Sequence, residues 1–463
     1  MSQGSPSTVQ EALPEALRHH QAGQFVEAER IYRQILAIDP RHPDGLHLLG
    51  MVAYQTGRDA VAVELIRRAI AIKPDAASYH SNLGNVLQSQ GKLAEAGASF
   101  QRALVLKPGL SEVHLNLGNI FKALGDVDSS LACYERALTL NPGLAEAAVG
   151  RSMALLLKGE FAAGWRDFAS RWGTKDYDTP MRLYSRPLWK GERLAAGRLL
   201  IWGEQGIGDE IMFAGLIPDL IRAGNRCVLD CDARLKPLFA RSFPQVEVVA
   251  EVVPERLEEL DIAAHLPSGS LPGLFRTSSS AFTATTSPYL VADLPAKTRF
   301  RARYADGRKL VGLAWHTRSK ATGRSRSIDL RLLAPLFALP GIQWVSLQYG
   351  EHNALEEQRS AANAPIRIDR EVDQFSNLDD FAAQIAAMDL VITIDNSTAH
   401  LAGALGVPTW VLLPLAADWR WLQSREDSPW YPTTRLFRQA QLDEWQSVVR
   451  LIERALRDML RAQ

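Results

Sequence analysis

The chain has 463 residues, 46% of them hydrophobic and 22% charged, and its 52 Lys and Arg balance 52 Asp and Glu to a formal net charge of zero. That composition fits an ordinary soluble globular protein and excludes a disordered or fibrous chain, while the length calls for about two or three domains. Charge neutrality argues against a general binder of nucleic acid or membrane surfaces. The three cysteines, Cys133, Cys227 and Cys231, offer neither a disulfide framework nor a CxxC metal pair, which points to a reducing compartment. The first residues have neither a basic nor an apolar leader segment, and no apolar run nears the roughly 18 residues that span a bilayer, so the expected location is the cytoplasm.

The first third repeats itself. Pro40, Pro74, Pro108 and Pro142 recur 34 residues apart, as do Gly23, Gly57, Gly91, Gly125 and Gly159. Between each glycine and the next proline stand a small residue (Ala28, Ala62, Ala96, Ser130) and a bulky one (Tyr32, Ile66, Phe100, Tyr134), and Phe168 extends the second series. Leu49-Gly50, Leu83-Gly84 and Leu117-Gly118 mark the first helix of three units. The spacing predicts pairs of helices: glycine turns the chain between them, small residues let them approach, and proline ends the second. One pair cannot bury its apolar face alone, so neighbours stack into an α-solenoid. The period and motif resemble the tetratricopeptide repeat over residues 9–142, with 143–172 as a degraded closing unit. Arrays of this kind present a surface to another polypeptide; the alternative is that this one only supports the C-terminal part or makes it dimerise.

Residues 173–198, rich in Gly and Pro, read as a packed linker. From Leu199 short apolar strands alternate with helical stretches, which predicts parallel sheets with crossover helices. Candidate strands are Leu199–Trp202, Cys227–Asp230, Val246–Val249 and Ile262–Ala264 in a first half, 199–292, in which Pro267–Pro288 is a long loop. After a linker, 293–309, a second half over 310–440 offers Leu310–Trp315, Trp344–Gln348, Ile366–Ile368, Leu390–Ile394 and Trp410–Leu413. Candidate helices are Glu210–Ala223, Leu330–Leu339, Asp379–Met388 and Thr398–Leu405, with a terminal helix in 441–463. Two such sheets place a cleft between them, and ligands sit at the carboxyl ends of the strands.

Three segments could carry chemistry. Glu204, Gln205, Gly206 and Gly208 belong to a loop after the first strand, whose glycines let the backbone approach a ligand where a helix begins. The spacing is neither that of a dinucleotide fingerprint nor that of a P-loop. Asp209 there is either a first-turn carboxylate complementing the helix dipole or a general base facing the cleft. The second segment, with His316, Arg318, Lys320, Arg324 and Arg326, has five Lys and Arg against one acid, Asp329, between 316 and 331. Arginine and lysine beside hydroxyls at a strand end suit a diphosphate, although basic runs are commonly solvated loops. In the third, Asp395, Asn396 and Ser397 end a strand and open a helix, where they bind phosphate oxygens or only cap the helix; His400 lies one turn further in, as a ligand or as part of the cleft wall. Asp230-Cys231-Asp232 mimics a metal motif, but with no third ligand evident no metal is expected. Trp419, Trp421, Trp430 and Tyr431 are either packing or a floor for a base or sugar ring.

The loop GEQGIGDE, the basic stretch VGLAWHTRSKATGRSRSIDL and the segment DLVITIDNSTAHLAGALGVPTWVLLP, taken in order, resemble the GT-B glycosyltransferases, and among them the bacterial heptosyltransferase-like enzymes, over about residues 199–440. Joined to tetratricopeptide repeats, the layout is similar to bacterial repeat-fused glycosyltransferases and to protein O-GlcNAc transferases; DWRW at 418–421 and SPWYP at 428–432 are typical of the repeat-fused group. The resemblance implies two Rossmann-like halves, an acceptor side in the first and a nucleotide-sugar side in the second. It implies Asp209 as the acceptor-activating base, Lys320 or Arg324 near the cation that holds the donor diphosphate, and Asp395, Asn396, Ser397 and His400 on the donor signature, with Asn396-Ser397 replacing its Thr-Gly pair. The implied activity is metal-independent, inverting sugar transfer from a nucleotide-diphosphate sugar to an acceptor hydroxyl, on a protein recruited by the repeats. Two alternatives are an inactive repeat adaptor and a transferase for lipopolysaccharide or lipid-linked glycan.

Overall fold

The computed structural model describes residues 9–175, 177, 179–282, 288–319 and 323–461. The chain divides into two compact units, Met1–Ala154 and Leu155–Gln463.

The first unit is a tetratricopeptide-repeat solenoid of helix pairs: α1 (Val9–Gln21) with α2 (Phe25–Ile38), α3 (Pro43–Gln55) with α4 (Asp59–Ile72), α5 (Ala77–Ser89) with α6 (Leu93–Leu106), and α7 (Ser111–Ala123) with α8 (Val127–Leu140); α9 (Ala145–Lys158) begins a fifth pair. Gly23, Gly57, Gly91 and Gly125 turn the chain at φ between 73° and 79°, where a side chain would be strained. The Leu-Gly dipeptides have a steric cause. A Cβ on Gly84 would lie 2.5 Å from the Phe100 ring, and one on Gly118 would lie 2.7 Å from the Tyr134 ring. The bulky residue of each second helix thus packs onto bare backbone of the first, and Phe100, Tyr134, Ala96 and Ser130 are wholly buried.

The second unit begins inside α9. It continues with α10 (Phe161–Phe168), which buries Phe161, Trp165 and Phe168, and a 3₁₀ turn, Ala169–Gly173, which buries Arg171. The repeat-like end expected up to residue 172 therefore belongs with the α/β part, because Phe161, Trp165 and Phe168 pack there on Phe282 and Trp419.

Two all-parallel sheets follow. The first has four strands in the order β3-β2-β1-β4: β1 (Arg198–Trp202), β2 (Cys227–Asp230), β3 (Glu247–Val249) and β4 (Ile262–Pro267). The second has six in the order β10-β9-β8-β5-β6-β7: β5 (Lys309–Ala314), β6 (Ile342–Ser346), β7 (Ile366–Arg367), β8 (Leu390–Ile394), β9 (Thr409–Leu413) and β10 (Thr434–Arg438). The first carries α11 (Ile207–Ala214), α12 (Ile217–Arg222), α13 (Lys236–Ser242) and α14 (Pro272–Phe275). The second carries α15 (Leu294–Tyr304), α16 (Gly323–Arg326), α17 (Ala334–Phe337), α18 (His352–Ala361), α19 (Leu378–Ala386), α20 (Ser397–Ala404) and α21 (Gln446–Arg461).

The single helix predicted over Glu210–Ala223 is two, α11 and α12, which meet at Gly215 and Leu216. A Cβ on Gly215 would come 3.0 Å from Tyr289, and Pro218 stands in the first turn of α12, where its missing N–H does no harm. The stretch 293–309, expected to be a linker, holds α15, capped by Asp293 accepting from the Ala296 N–H. Strand β10 carries no β-branched run and was not anticipated; it pairs parallel to β9 at the sheet edge. Within the described residues no helix is long and apolar enough to cross a membrane.

Candidate functional site

In each sheet the chain reverses its direction of winding once. β1 lies between β2 and β4, so the first switch point falls after Trp202 and Pro267. β5 lies between β6 and β8, so the second falls after Ala314 and Ile394. Neighbouring crossovers part at such points and leave a crevice at the carboxyl edge. The glycine loop follows β1, the basic segment follows β5, and Asp395 follows β8, so the three motifs occupy the two switch points.

The loops meet. A Cβ on Gly208 would lie 3.1 Å from His400 Cδ2 and 3.6 Å from Ser397 Cα. Gly208 thus eases the close approach of α11 to the start of α20, where a side chain would have to displace the His400 ring by a few tenths of an ångström. Gly206 precedes α11 in extended conformation and is exposed, as is Gln205, whose N–H donates to Thr179 Oγ1 at 2.8 Å.

Around this contact runs a chain of alternating charges. Arg420 donates through Nη2 to Asp209 Oδ1 and through Nη1 to Asp418 Oδ1 at 2.6 Å. Arg326 lies 3.4 Å from Asp418 Oδ2 and 3.2 Å from Asp395 Oδ2. Asp209, Arg420, Asp418, Arg326 and Asp395 thereby join the first turn of α11, the turn after β9, the basic segment and the end of β8. Side-chain exposure falls from 23% at Arg326 to 3% at Asp395, a depth at which ion pairing is little screened. Burial drives the Asp395 carboxyl above the ordinary carboxylate range although Arg326 opposes it, whereas Arg420 and Arg326 together hold Asp418 down at about 2 against its own burial. The guanidinium of Arg420, stacked 4.4 Å above the Trp419 ring, is held charged above its usual range by Asp209 and Asp418 in spite of burial. Asp209 Oδ2 has no hydrogen-bond partner among the described residues.

Two expected ligand-facing residues are structural. Glu204 is buried: it forms a forked pair with Arg171 (Nε and Nη2 both 2.9 Å away) and accepts the Gly269 N–H at 2.7 Å and the Tyr177 hydroxyl. With these partners around it, Glu204 anchors the loop and does not present itself to an acceptor. His400 is buried, stacked on Trp421 at 5.3 Å, with Nδ1 2.9 Å from the Tyr431 hydroxyl. Burial, reinforced by the Arg420 charge, pushes it down to about 3, so it is neutral and forms part of the wall. Asn396 caps α20, its Oδ1 accepting the Thr398 and Ala399 N–H groups at 3.0 and 3.3 Å and the Thr393 hydroxyl at 3.0 Å. Ser397, at the first position of α20, is half-buried.

His316, Arg318 and Arg324 are exposed, and no described residue pairs with their side chains. Lys320 lies outside the described residues. Trp419, Trp421, Trp430 and Tyr431 are all buried, so they are packing and not an open floor. Asp230 pairs with Arg182 and accepts the Val252 N–H, and Asp232 pairs with Arg234, which occupies both carboxylates of the metal-like motif. Larger open recesses of about 600 and 640 Å³, at Lys309–Gly341 and at β10–α21, lie away from the switch points.

Sequence reasoning passed over Asp418, Arg420, Arg171 and Glu210. The pattern DWRW held the first two, as an alternation of charge and aromatic after a core strand. Glu210, in the first turn of α11, accepts the Asp232 N–H at 2.9 Å, and burial, aided by the charges of Asp232 and Asp230, pushes it up to about 7. A carboxyl raised above its unfolded value of 4.5 binds more protons folded than unfolded between 4.5 and about 7. Its contribution to stability is therefore complete below that window and is lost as pH rises through it. Glu210→Gln, which can still accept the Asp232 N–H, is expected to flatten thermal stability over this range and to raise the melting temperature at pH 8. Melts as steep in pH as those of the unchanged protein would refute the assignment.

Tetratricopeptide-repeat family models match residues 19–84, 60–111 and 111–144. The chain is 33% identical over 332 residues to Protein FlbA of Caulobacter vibrioides, a match covering 66% of this chain and 54% of FlbA, so it spans about half the length of that relative. Among solved structures, MamA is 22% identical over 34% of this chain and 91% of its own, with a TM-score of 0.32. PilF of Pseudomonas aeruginosa is 24% identical over 35% of this chain and 74% of its own, with a TM-score of 0.34. YrrB, described as a tetratricopeptide-repeat protein with an unusual peptide-binding site, is 17% identical over 35% of this chain and 84% of its own, with a TM-score of 0.32.

Proposed function

We propose that the α/β unit is a glycosyltransferase that moves a sugar from a nucleotide-diphosphate sugar to a hydroxyl, on a protein recruited by the repeats. The observation that carries this reading is the ion-paired chain from Asp209 to Asp395, which joins a carboxylate on one sheet to cations on the other across their carboxyl edges. Asp209, oriented by Arg420, takes the acceptor proton on Oδ2; the acceptor oxygen bonds to the anomeric carbon, and the electron pair of the breaking bond leaves on the diphosphate. Attack opposite the leaving group inverts the anomeric configuration. Arg318 and Arg324, free of counter-charges from described residues, receive the phosphates, and the start of α20 adds N–H dipoles to the charge that develops there. This assistance needs no bound metal.

Donor binding distinguishes this reading from the adaptor, which binds no nucleotide, and a modified protein distinguishes it from the lipid-glycan enzyme, which modifies none. Screening nucleotide-diphosphate sugars by thermal shift tests the donor, since a ligand of the native state at 100 times its Kd adds about 2.7 kcal/mol. Arg318→Ala combined with Arg324→Ala is expected to weaken the best donor at least ~10-fold in calorimetry, as loss of charge-assisted bonds worth about 1.5–3 kcal/mol requires. Undiminished affinity in the double variant removes the phosphate role.

A further inference from the structure

We propose that Arg171 is a positioning residue for this site, fixing both members of the Asp209–Arg420 pair through the segment that precedes the sheets. The inference rests on the transferase reading for its catalytic consequence, and on geometry for the rest.

Arg171 is 2% exposed and Glu204 1%. The guanidinium also donates to Ser270 Oγ at 2.8 Å and to the Phe168 carbonyl at 3.2 Å, and it is sandwiched by the rings of Phe168 and Trp172, 4.7 and 4.5 Å away. Hydrogen bonds in its plane and the two rings together hold the guanidinium in place. Glu204 stands five residues before Asp209. Between them lie Gln205 and Gly206, then Ile207 and Gly208 in the first turn of α11; Gln205 stands at φ 65°, a strained setting for a residue with a side chain. Only Gln205 and Gly206 separate Glu204 from α11, so anchoring Glu204 anchors the start of the helix that carries Asp209.

The same segment reaches the other member of the pair. Trp165 packs edge-on against Trp419 at 5.2 Å, Phe168 touches it at 6.2 Å, and Trp419 is the ring on which Arg420 rests. Leu157 accepts the Gln423 N–H at 2.9 Å, and Trp165 Nε1 donates to the Arg276 carbonyl at 2.9 Å. Residues 157–171 thus clamp the glycine loop on one sheet and the turn carrying Asp418 and Arg420 on the other. A buried forked ion pair is weak evidence for stability, since well-packed apolar residues often replace one without loss. Its use here is orientation: the planar fork fixes angle as well as distance.

The test separates that role from mere stability. In the double variant Arg171→Met with Glu204→Gln both charges go while the amide oxygen can still accept the Gly269 N–H, and the melting temperature is expected to stay within about 5 °C of the unchanged protein. Its kcat is expected to fall about 10- to 100-fold, the usual result of misplacing a reacting group by about 1 Å, with donor KM changed less than ~2-fold. Arg171→Lys, which keeps the charge without the fork, is expected not to restore kcat. Unchanged kcat in the double variant overturns the proposal. If the unchanged protein transfers no sugar from any donor, the transferase reading fails, and the positioning role is then judged by amide hydrogen exchange in the double variant. Faster exchange confined to 203–210 and 418–423 supports it; unaltered exchange there overturns it.

Discussion

Asp209→Asn is expected to abolish most sugar transfer, by about 10²- to 10⁴-fold in kcat, while donor affinity changes less than ~2-fold. Asparagine is close in shape to aspartate, and Arg420 keeps its second partner, Asp418, so the chain of charges survives at four of its five members. What is lost is a group able to take a proton from the acceptor. Initial rates with a radiolabelled donor, alongside calorimetry of donor binding, decide the matter. A variant with ordinary turnover dismisses Asp209 as the base, and one that no longer binds donor places it among the binding groups. The neighbouring Glu210 provides the control: Glu210→Gln is expected to alter stability against pH and to leave transfer within ~3-fold of the original rate, far short of the loss expected for a general base.

The second large effect concerns stability. Arg326→Met leaves Asp395, whose side chain is 3% exposed, without its cation, and removing one partner of a buried pair costs about 3–5 kcal/mol. Asp395 already titrates above the ordinary range because of burial, and loss of Arg326 raises it further. The folded protein then holds a proton that the unfolded chain releases, so the loss is greatest at neutral and alkaline pH and shrinks as pH falls through the raised value. Chemical unfolding of the variant at two pH values reads this directly. A deficit that is equal at both, or that grows in acid, contradicts a buried carboxylate left uncompensated. Asp395→Asn in the Arg326→Met background is expected to recover most of the loss, because the amide carries no charge to strand.

The solenoid was legible because its causes are local and periodic. Gly84 and Phe100 stand sixteen residues apart, as do Gly50 and Ile66, and Gly118 and Tyr134, and a side chain at 84 would collide with the Phe100 ring. The strands of the two sheets were legible too, since fully buried parallel strands read as short apolar runs such as Leu390–Ile394. Strand β10 escaped because an edge strand can alternate arginine with apolar residues and still pair on one side. At the candidate site the residues at the strand ends were found, but their partners were not. That Glu204 is sealed by Arg171, thirty-three residues earlier, follows from packing that leaves no mark on sequence spacing. Arg420 reaches Asp209 across 211 positions, and only the winding of the two sheets brings them together. His400 read either as a ligand or as part of the cleft wall, and Trp421 and Tyr431, which enclose it, favour the wall.

The place where the first unit gives way to the second, between Ala154 and Leu155, has a practical bearing on how the polypeptide can be cut. Trimming at residue 172, the border that the repeat period suggests, would amputate Trp165, Phe168 and Arg171 and leave the buried Glu204 without its cation. A shortened recombinant form intended for ligand soaking should keep the helix Ala145–Lys158 whole and start ahead of it.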